Sequence, residues 1–422
     1  MADFYQTGVV TTLHRLGSAN LERIEAELTD IARTERIALV LPALYAEFTR
    51  PAMPRIIKEL RHVEYLHEIV VSLGRATAEE FEAARAMLSV LPQKVSIIWN
   101  DGPGVRSLYE RLAAHNLPVG EDGKGRSCWM AYGYLLATDD CDVIALHDCD
   151  ITTYNRELLA RLCYPVANPN LGFEFSKGFY SRVGRKMHGR VTRLFVTPLI
   201  RTLQRLVGEL PLLVYLDSFR YALAGEFAMR TDLARVTRIP SDWGLEVGML
   251  AEVYRNCALK RICQTEICEN YDHKHQEMKA GDSTRGLVKM CVDIAQNLLR
   301  TLAAEGAVFT EGLFRTLSVQ YIRMAEDTIN RYHADAAING LSFDRNEEES
   351  TVVAFAEGLR LACQRYLEDP LGAPLIPNWN RVVSALPDFY DQLLEAVAAD
   401  NAASRVPVAA RKGTAMAPME AA

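Results

Sequence analysis

The sequence predicts an α/β protein built on a doubly wound, mostly parallel sheet with a Rossmann-like nucleotide-binding half. Short apolar runs alternate along the chain with segments of helical periodicity, which is typical of parallel strands joined by crossover helices. The first four runs occupy residues 37–41, 69–73, 95–99 and 143–146. Because ligands of such sheets bind at the carboxyl ends of the strands, polar residues that follow a run are candidates for a binding site.

Composition narrows the class of protein. The chain has 422 residues, 49% hydrophobic and 24% charged, as in an ordinary soluble globular protein. Its net charge of −7 argues against a nucleic-acid partner. The 9 cysteines are scattered without CxxC pairs, which favours reduced thiols in a cytoplasmic protein over a disulfide framework. We expect no signal peptide, no membrane span and no membrane partner.

The pattern of elements divides the chain into four regions. Residues 1–34 are expected to form a helical lead-in, and residues 35–283 the main α/β domain. Pro42 is expected to end the first strand, because proline cannot donate to a central ladder. Helical stripes in residues 284–400 predict a helical region that packs on the main domain or forms a homodimer. The Ala/Pro-rich tail, residues 401–422, is expected to be disordered.

Asp148 and Asp150 follow the fourth apolar run at a spacing of two residues. If the backbone stays extended there, both carboxylates lie on one face of the strand. Two such carboxylates repel each other unless a cation lies between them, and a hard divalent ion that also binds phosphates is the usual solution. The alternative is a pair of solvated aspartates at a strand exit.

Two glycine-containing segments are candidates for contact with a ligand. Lys124 lies between Gly123 and Gly125, so its ammonium and the neighbouring N–H groups could approach a phosphate. The segment is not a Walker A motif, and a surface turn is the alternative. Gly225 indicates a second close approach of backbone to ligand.

The basic segment around Arg190 is a candidate anion site. Arg190 could bind a carboxylate or phosphate through two parallel hydrogen bonds, with the Thr192 hydroxyl beside it. A solvated basic helix start is equally compatible with the sequence.

Glu246 and His273 complete the set of candidates. Glu246 follows a helix start for which Ser241 or Asp242 is the expected N-cap. His273 follows the last predicted strand and is a candidate metal ligand, although a lone histidine is more often structural.

Seven motifs in a fixed order resemble the glucosyl-3-phosphoglycerate synthases, which are retaining glycosyltransferases of the GT-A fold. The resemblance covers roughly residues 30–280, and ordered motifs are far more specific than any single one. The motifs are Leu41-Pro42-Ala43-Leu44, Gly123-Lys124-Gly125, Asp148-Cys149-Asp150, Gly189-Arg190-Val191-Thr192, Ala224-Gly225-Glu226, Gly244-Leu245-Glu246 and Asp272-His273.

The resemblance implies transfer of glucose from a nucleoside diphosphate glucose, UDP- or GDP-glucose, to the 2-hydroxyl of 3-phospho-D-glycerate, with Mg²⁺ or Mn²⁺. Residues 35–151 would then be the nucleotide-sugar half of the GT-A domain and residues 152–283 the acceptor half. The implied nucleotide-sugar site comprises Pro42, Ala43, Leu44, Glu47, Ser72, Lys124, Asp148 and Gly225. The implied acceptor site comprises Gly189, Arg190 and Thr192, the metal ligands are Asp150 and His273, and the catalytic residues are Glu246, Asp148 and Lys124.

Some features keep other functions open. Tyr45 stands where the family commonly has asparagine, and Ser241-Asp242-Trp243 is similar to mannosylglycerate synthases, which use an unphosphorylated acceptor. A sugar-nucleotide pyrophosphorylase would need a glycine-rich, arginine-containing loop after the first strand, where this chain has Leu41-Pro42-Ala43-Leu44. A non-catalytic sugar-nucleotide sensor would have no need of these acidic, histidine and basic motifs together.

Overall fold

The computed structural model describes residues 6, 8–17, 20–272 and 286–402 of the chain. Within these residues, eight strands form one sheet in the order β1-β8-β6-β7-β5-β2-β3-β4. The strands are β1 (Thr11–Leu13), β2 (Ile37–Leu44), β3 (Leu66–Gly74), β4 (Lys94–Trp99), β5 (Val143–Leu146), β6 (Phe175–Ser181), β7 (Phe227–Arg230) and β8 (Ile262–Asn270). Only β7 runs antiparallel to its neighbours, β5 and β6, so the predicted mostly parallel sheet is confirmed.

Helices cover both faces of the sheet. The helices of the α/β part are α1 (Leu21–Ile31), α2 (Tyr45–Phe48), α3 (Ala52–Leu60), α4 (Ala78–Leu88), α5 (Pro103–Ala114), α6 (Lys124–Thr138), α7 (Arg156–Ala167), α8 (Thr197–Val207), α9 (Pro211–Asp217), α10 (Thr231–Val236) and α11 (Leu245–Asn256). A π-helical turn, Val191–Val196, leads directly into α8. The C-terminal helices are α12 (Gly286–Ala304), α13 (Glu311–Ile338), α14 (Arg345–Glu368), α15 (Trp379–Ala385) and α16 (Phe389–Ala402).

Strand β2 shows why the apolar runs predict a sheet covered on both faces. Ala38 and Val40 pack into one hydrophobic core, while Ile37, Leu39 and Leu41 pack into the other. All five side chains are fully buried. Side chains that alternate between two buried faces produce a continuous apolar run, as the sequence has.

Local sequence signals fix where several helices begin. The Thr77 hydroxyl accepts from Glu80 N and the Glu80 carboxylate accepts from Thr77 N, which forms a capping box at the start of α4. Asn155 caps α7 by accepting from Leu158 N, and Pro103 is the first residue of α5. These contacts satisfy N–H groups that a helix cannot pair internally.

The prediction that Pro42 ends the first strand is wrong. Pro42 pairs with Ser72, and β2 continues to Leu44. The Val40 carbonyl accepts from His147 N on the β5 side, and Pro42, two residues further, faces that same side beyond the end of the β2–β5 ladder. The missing N–H therefore removes no ladder hydrogen bond.

The lead-in and the tail also differ from the prediction. Thr11–Leu13 forms strand β1, which pairs with β8 at one edge of the sheet, so the lead-in is not wholly helical. At the other end, Asn401 belongs to α16 and bonds to both Ile97 N and Ile97 O through its side chain. Residues 403–422, which carry the rest of the predicted disordered tail, lie outside the described residues.

The C-terminal helices pack on the sheet domain in two places. Helices α12, α13 and α14 pack on one another and against α8 and the π-helical turn, and α16 packs against α5, α6 and β4. Trp379 of α15 stacks on Trp129 of α6 with 4.1 Å between ring centroids. None of the helices in the described part of the chain is long and apolar enough to cross a membrane.

Candidate active site

A cavity of about 600 Å³ opens beside the carboxyl ends of the parallel strands and extends towards helix α14. It brings together residues that are far apart in the sequence. Seven of the predicted site residues line it: Lys124, Asp148, Gly189, Arg190, Thr192, Gly225 and Glu246. One cavity therefore joins the predicted catalytic residues to the predicted acceptor residues.

Lys124 links two carboxylates at one end of this cavity. Its ammonium lies 2.6 Å from Asp148 Oδ1 and 3.1 Å from Glu246 Oε1. Burial lowers the pKa of the Lys124 ammonium, but the carboxylates of Asp148 and Glu246 outweigh it and raise that pKa well above its usual value. Lys124 is therefore a permanent positive charge at neutral pH, placed where negative charge could be stabilised.

The two helices that carry Lys124 and Glu246 begin at the cavity. Lys124 is the first residue of α6 and Glu246 the second residue of α11. The predicted N-cap of α11 is wrong: Gly244 is the cap residue, and Asp242 Oδ1 accepts from Gly244 N at 2.8 Å. This Asx-type contact turns the chain just before the helix and sets the direction in which Glu246 points.

Gly225 is required by a close contact with Asp148. A Cβ atom added at Gly225 would lie 2.3 Å from Asp148 Oδ2, which is far below a van der Waals distance. The sequence predicted a close approach at Gly225, and in the structure the approaching group is this carboxylate. Any larger residue would displace the Asp148 carboxylate, which pairs with Lys124.

A buried polar network that the sequence did not reveal supports the floor of the cavity. Glu226 is fully buried and accepts from Tyr180 Oη at 2.8 Å and from Tyr271 Oη at 2.5 Å. The two tyrosine rings stack with centroids 3.8 Å apart. Burial and the charge of Asp148 raise the pKa of the Glu226 carboxyl.

Lys177 is buried as well and contacts the chain near Glu226. Its ammonium donates to the Ala224 carbonyl at 2.5 Å, directly before Gly225. Burial lowers the pKa of Lys177 to about 8. A lysine inside an otherwise uncharged strand was the signal in the sequence, and it does not distinguish a buried side chain from an exposed one.

The predicted nucleotide residues lie at the carboxyl ends of β2 and β3. Ala43 is buried, Pro42 and Glu47 are half-buried, and Leu44 is exposed. Ser72 is fully buried, and its hydroxyl donates to the Ser127 carbonyl at 2.9 Å and accepts from Asn100 Nδ2 at 2.9 Å. None of the residues Pro42, Ala43, Leu44, Glu47 and Ser72 lines the 600 Å³ cavity, so their contact with a nucleotide stays a prediction.

The segment after β5 concentrates negative charge. Cys149 and Asp150 lie in a turn, so the extended backbone assumed for Asp148 and Asp150 is not present. Burial raises the pKa of the Cys149 thiol well above its usual value, and the carboxylates of Asp148, Asp150 and Glu47 raise it further. Three carboxylates around one thiol fit a hard divalent cation in charge and in oxygen chemistry.

The complete ligand set of a metal site is not among the residues that the structure describes. In residues 20–272 and 286–402, no group of three or more His, Cys, Asp and Glu side chains is arranged to hold a metal ion. The predicted ligand His273 lies outside the described residues. The assignment of Asp150 and His273 as metal ligands stays a prediction.

Arg190 lies at the other end of the cavity, where it is paired with acidic residues of α14. Its Nη2 forms an ion pair with Glu347, and its Nε lies 3.3 Å from Glu348 Oε1. Gly189 has a φ of +74°, which favours glycine, and turns the chain into the π-helical turn. Among the described atoms, the buried Thr192 Oγ1 has no hydrogen-bond partner, so it is available to a ligand.

Known relatives show what kind of protein this is. No protein-family model matches the chain. A glucosyl-3-phosphoglycerate synthase of Persephonella marina is 51% identical over 401 residues, covering 95% of this chain and 99% of the relative. The synthase of Methanococcoides burtonii is 40% identical over 403 residues, covering 94% of this chain and 98% of the relative. The chain belongs to the glucosyl-3-phosphoglycerate synthase family.

Solved structures support the same fold. Two structures of the Mycobacterium tuberculosis glucosyl-3-phosphoglycerate synthase each match with a TM-score of 0.50 and 22% identity, covering 72% of this chain and 89% of theirs. One is a complex with Mg²⁺ and UDP, and the other a complex with Mn²⁺, UDP-glucose and phosphoglyceric acid. At this identity the likeness establishes the fold, and the predicted GT-A-like fold is confirmed.

Several residues of this family member were missed by the sequence reasoning. Glu226 ends the motif Ala224-Gly225-Glu226 and Tyr271 precedes the motif Asp272-His273, so both could have been predicted as site residues. Glu347 and Glu348 offered no signal, because acidic residues in the first turn of a helix are common for reasons of the helix dipole alone. Only the packing of α14 against the acceptor segment brings them to Arg190.

Proposed function

We propose that this chain transfers glucose from a nucleoside diphosphate glucose to the 2-hydroxyl of 3-phospho-D-glycerate with retention of configuration, the first step in making glucosylglycerate, a compatible solute. The observation that supports the proposal most is the single cavity that holds Lys124, Asp148 and Glu246 at one end and Arg190 at the other. Membership of the family and the names of its relatives point to the same reaction.

Lys124 would act on the leaving group. Departure of the nucleoside diphosphate leaves negative charge on its phosphates, and a fixed ammonium beside them lowers the barrier. Asp148 holds Lys124 at 2.6 Å, and the absence of a side chain at Gly225 leaves room for the Asp148 carboxylate. The pair would orient the sugar and the diphosphate before the bond breaks.

Glu246 would work at the reaction centre. Its carboxylate is mostly buried and shares the Lys124 ammonium with Asp148. From there it can orient the acceptor hydroxyl or the sugar ring. A retaining transfer can use a carboxylate nucleophile or a front-face attack steered by the departing phosphate; Glu246 would be the nucleophile in the first route and a positioning residue in the second.

Asp150 and the predicted ligand His273 would hold Mg²⁺ or Mn²⁺. When bound, the cation would neutralise the diphosphate and increase its ability to leave. The negative charge that Asp148, Asp150 and Glu47 place around Cys149 supports this assignment. UDP-glucose and GDP-glucose are both candidate donors.

The acceptor half would bind the phosphoglycerate through its phosphate. Arg190, the Gly189 backbone and the Thr192 hydroxyl line one wall of the cavity, and Arg182 and Lys186 add positive charge to it. Phosphate bound by an arginine fork is held in a defined orientation, which would bring the 2-hydroxyl towards Glu246.

A second candidate is a mannosylglycerate synthase-like transferase that uses another sugar or unphosphorylated glycerate. The observation in its favour is that Arg190 is already paired with Glu347 and Glu348, so its charge is balanced without a phosphate.

The deciding experiment offers UDP-glucose, GDP-glucose and GDP-mannose in all combinations with 3-phosphoglycerate and glycerate. Products are identified by mass and the anomeric configuration by NMR. We expect an α-glucosyl phosphoglycerate, activity that is lost in excess chelator, and recovery with Mg²⁺ or Mn²⁺. A mannosyl product or an equal rate with glycerate would favour the second candidate.

The quaternary structure and the compartment complete the proposal. We expect a homodimer formed through the C-terminal helical region, which carries large exposed hydrophobic side chains: Val308, Val319, Ile322, Ile338, Val353, Leu367 and Leu371. Light scattering of the purified chain measures its mass and tests this. A cytoplasmic location is supported by the nine cysteines, which are all free thiols.

A further inference from the structure

We propose that Glu347 is an internal counter-anion of the acceptor site, a carboxylate that the acceptor phosphate must displace from Arg190. The inference rests on the proposed function, since it takes the segment 189–192 as the phosphate site. Glu347 belongs to α14, in the C-terminal helical region, yet it lines the same cavity as Arg190. The motifs of the α/β domain do not include it.

Glu347 lies between two cations. One of its carboxylate oxygens forms an ion pair with Arg190 Nη2, and the other lies 3.7 Å from Lys186 Nζ. The hydrogen bond from Arg190 holds the pKa of the Glu347 carboxyl below its usual range, so the group is charged at neutral pH. An acceptor phosphate bound by Arg190 and Lys186 would occupy the same place.

The backbone of Glu347 is held, so only its side chain is free to move aside. Asp344 Oδ1, in the N-cap of α14, accepts from Glu347 N at 2.9 Å. Two residues before that cap, Ser342 N donates to the Arg185 carbonyl at 2.9 Å and ties α14 to the acceptor loop. The side chain of Glu347 is 40% exposed, so it can swing into solvent without disturbing the helix.

The neighbouring Glu348 has a different role. It is buried, and its two oxygens accept from Arg193 Nη1 at 2.9 Å and Arg193 Nη2 at 3.2 Å. Its Oε1 also lies 3.3 Å from Arg190 Nε. Glu348 is therefore a positioning residue that orients both arginines, whereas Glu347 occupies the side of Arg190 that faces the cavity.

In this arrangement a doubly charged anion competes with Glu347 for Arg190 better than a singly charged anion does. A phosphate monoester carries about −1.5 to −2 charges near pH 7, against one charge on a carboxylate. It can replace Glu347 on Arg190 with a net gain in Coulomb energy, while a singly charged anion gains little by the exchange. The ion pair with Glu347 also balances the charge of Arg190 when no acceptor is bound.

The test compares Glu347→Gln with a matched control, Glu349→Gln. Glu349 lies in the same part of α14, is exposed, and pairs with Arg345 at 2.7 Å on the outer surface. In Glu347→Gln we expect the KM for 3-phosphoglycerate to fall about twofold to fivefold, the size of a partly exposed ion pair, with kcat and the KM for the nucleotide sugar unchanged. The KM for glycerate should not change, and Glu349→Gln should match the parent in every constant.

A binding measurement tests the same displacement without turnover. Calorimetric titration of the full chain with inorganic phosphate should show tighter binding to Glu347→Gln by a similar factor, and unchanged binding to Glu349→Gln. If Glu347→Gln binds phosphate and 3-phosphoglycerate as the parent does, or more weakly, Glu347 is not a competing anion and the inference is overturned. Failure of the proposed function would look different, because the parent itself would then not use 3-phosphoglycerate.

Discussion

The two ends of the cavity carry their charges in different ways. At the end that we propose binds the donor, Lys124, Asp148 and Glu246 lie at helix starts and after a strand of the α/β domain, and Lys124 contacts both carboxylates directly. At the end that we propose binds the acceptor, the charge of Arg190 is balanced by Glu348 of α14, which lies 158 positions further along the sequence. The donor end is therefore set by the α/β domain itself, while the acceptor end depends on helices added to it.

The comparison predicts the largest loss of activity from Asp150→Ala at the donor end. Removal of the proposed metal-binding carboxylate should lower kcat by about 100-fold or more, because charge on the leaving group is no longer compensated. Unfolding curves should stay close to the parent, since a carboxylate at a strand end contributes to function more than to packing. Asp391→Ala, at an exposed position of α16, is the control and should keep full activity. A kcat near the parent value in Asp150→Ala would remove Asp150 from the site.

At the acceptor end, Arg190→Ala should act on one substrate only. Loss of a charge-assisted pair of about 2 kcal/mol or more lowers kcat/KM for 3-phosphoglycerate about 30-fold or more. Slow hydrolysis of the nucleotide sugar should persist, and Arg190→Lys should recover only part, because an ammonium cannot form the arginine fork. Arg185→Ala removes an exposed charge from the same loop and should have little effect. If Arg190→Ala retains the preference of the parent for 3-phosphoglycerate over glycerate, the phosphate binds elsewhere.

Gly225→Ala tests the contact on which the donor end depends. The new Cβ would lie 2.3 Å from Asp148 Oδ2 and must displace that carboxylate, which pairs with Lys124. A displacement of about 1 Å can cost about 100-fold, so we expect kcat to fall by about 10-fold to 100-fold. The matched control is Gly312→Ala in α13, where the added Cβ would lie 3.9 Å from Thr310 Oγ1, an ordinary van der Waals distance. Equal kcat values in the two variants would show that Asp148 tolerates the shift.

At Lys177 of β6 the expected effect is on stability rather than on turnover. Burial lowers its pKa in the folded chain to about 8, below the usual value of 10.5. Between these two values the unfolded chain binds the proton that the folded chain has released, so this lysine makes the free energy of unfolding rise with pH. Below pH 8 its contribution is a constant penalty.

Lys177→Met should remove that rise. Unfolding by urea at several pH values between 7 and 10.5 should show the parent gaining roughly 2–4 kcal/mol relative to the variant, from about 1.4 kcal/mol for each pKa unit. If the free energy of unfolding changes with pH in the same way in both proteins, the lysine titrates as it does in water.

The sequence predicted the donor end better than the acceptor end for a physical reason. Short continuous apolar runs locate the strands, and strand ends locate Asp148, so a local pattern leads directly to a place in the fold. The sequence also predicted Arg190 as a site residue, but it did not predict the ion pair between Arg190 and Glu347. That pairing depends on how α14 packs against the acceptor segment, and no local pattern encodes the distance between two segments so far apart.

Pro42 and Gly225 each show the same difference between what the sequence predicts and what only the folded chain decides. The sequence shows that Pro42 has no N–H to donate. Whether the sheet needs a donor at that position depends on where the neighbouring strand β5 ends. Glycine signals a close approach, yet only the folded chain shows that the approaching group is the Asp148 carboxylate.

The sequence by itself determined the fold class, the family, the four apolar runs that form β2, β3, β4 and β5, and seven of the residues that line the cavity. These follow from hydrophobic periodicity and from short motifs, both of which are local properties of the chain. The tertiary structure alone decided the antiparallel place of β7, the buried Glu226 network, the ammonium of Lys177 under the Ala224 carbonyl, and the carboxylate of Glu347 on Arg190. Each of these is a contact between distant segments, and its free energy depends on burial and on distances that exist only once the chain has folded.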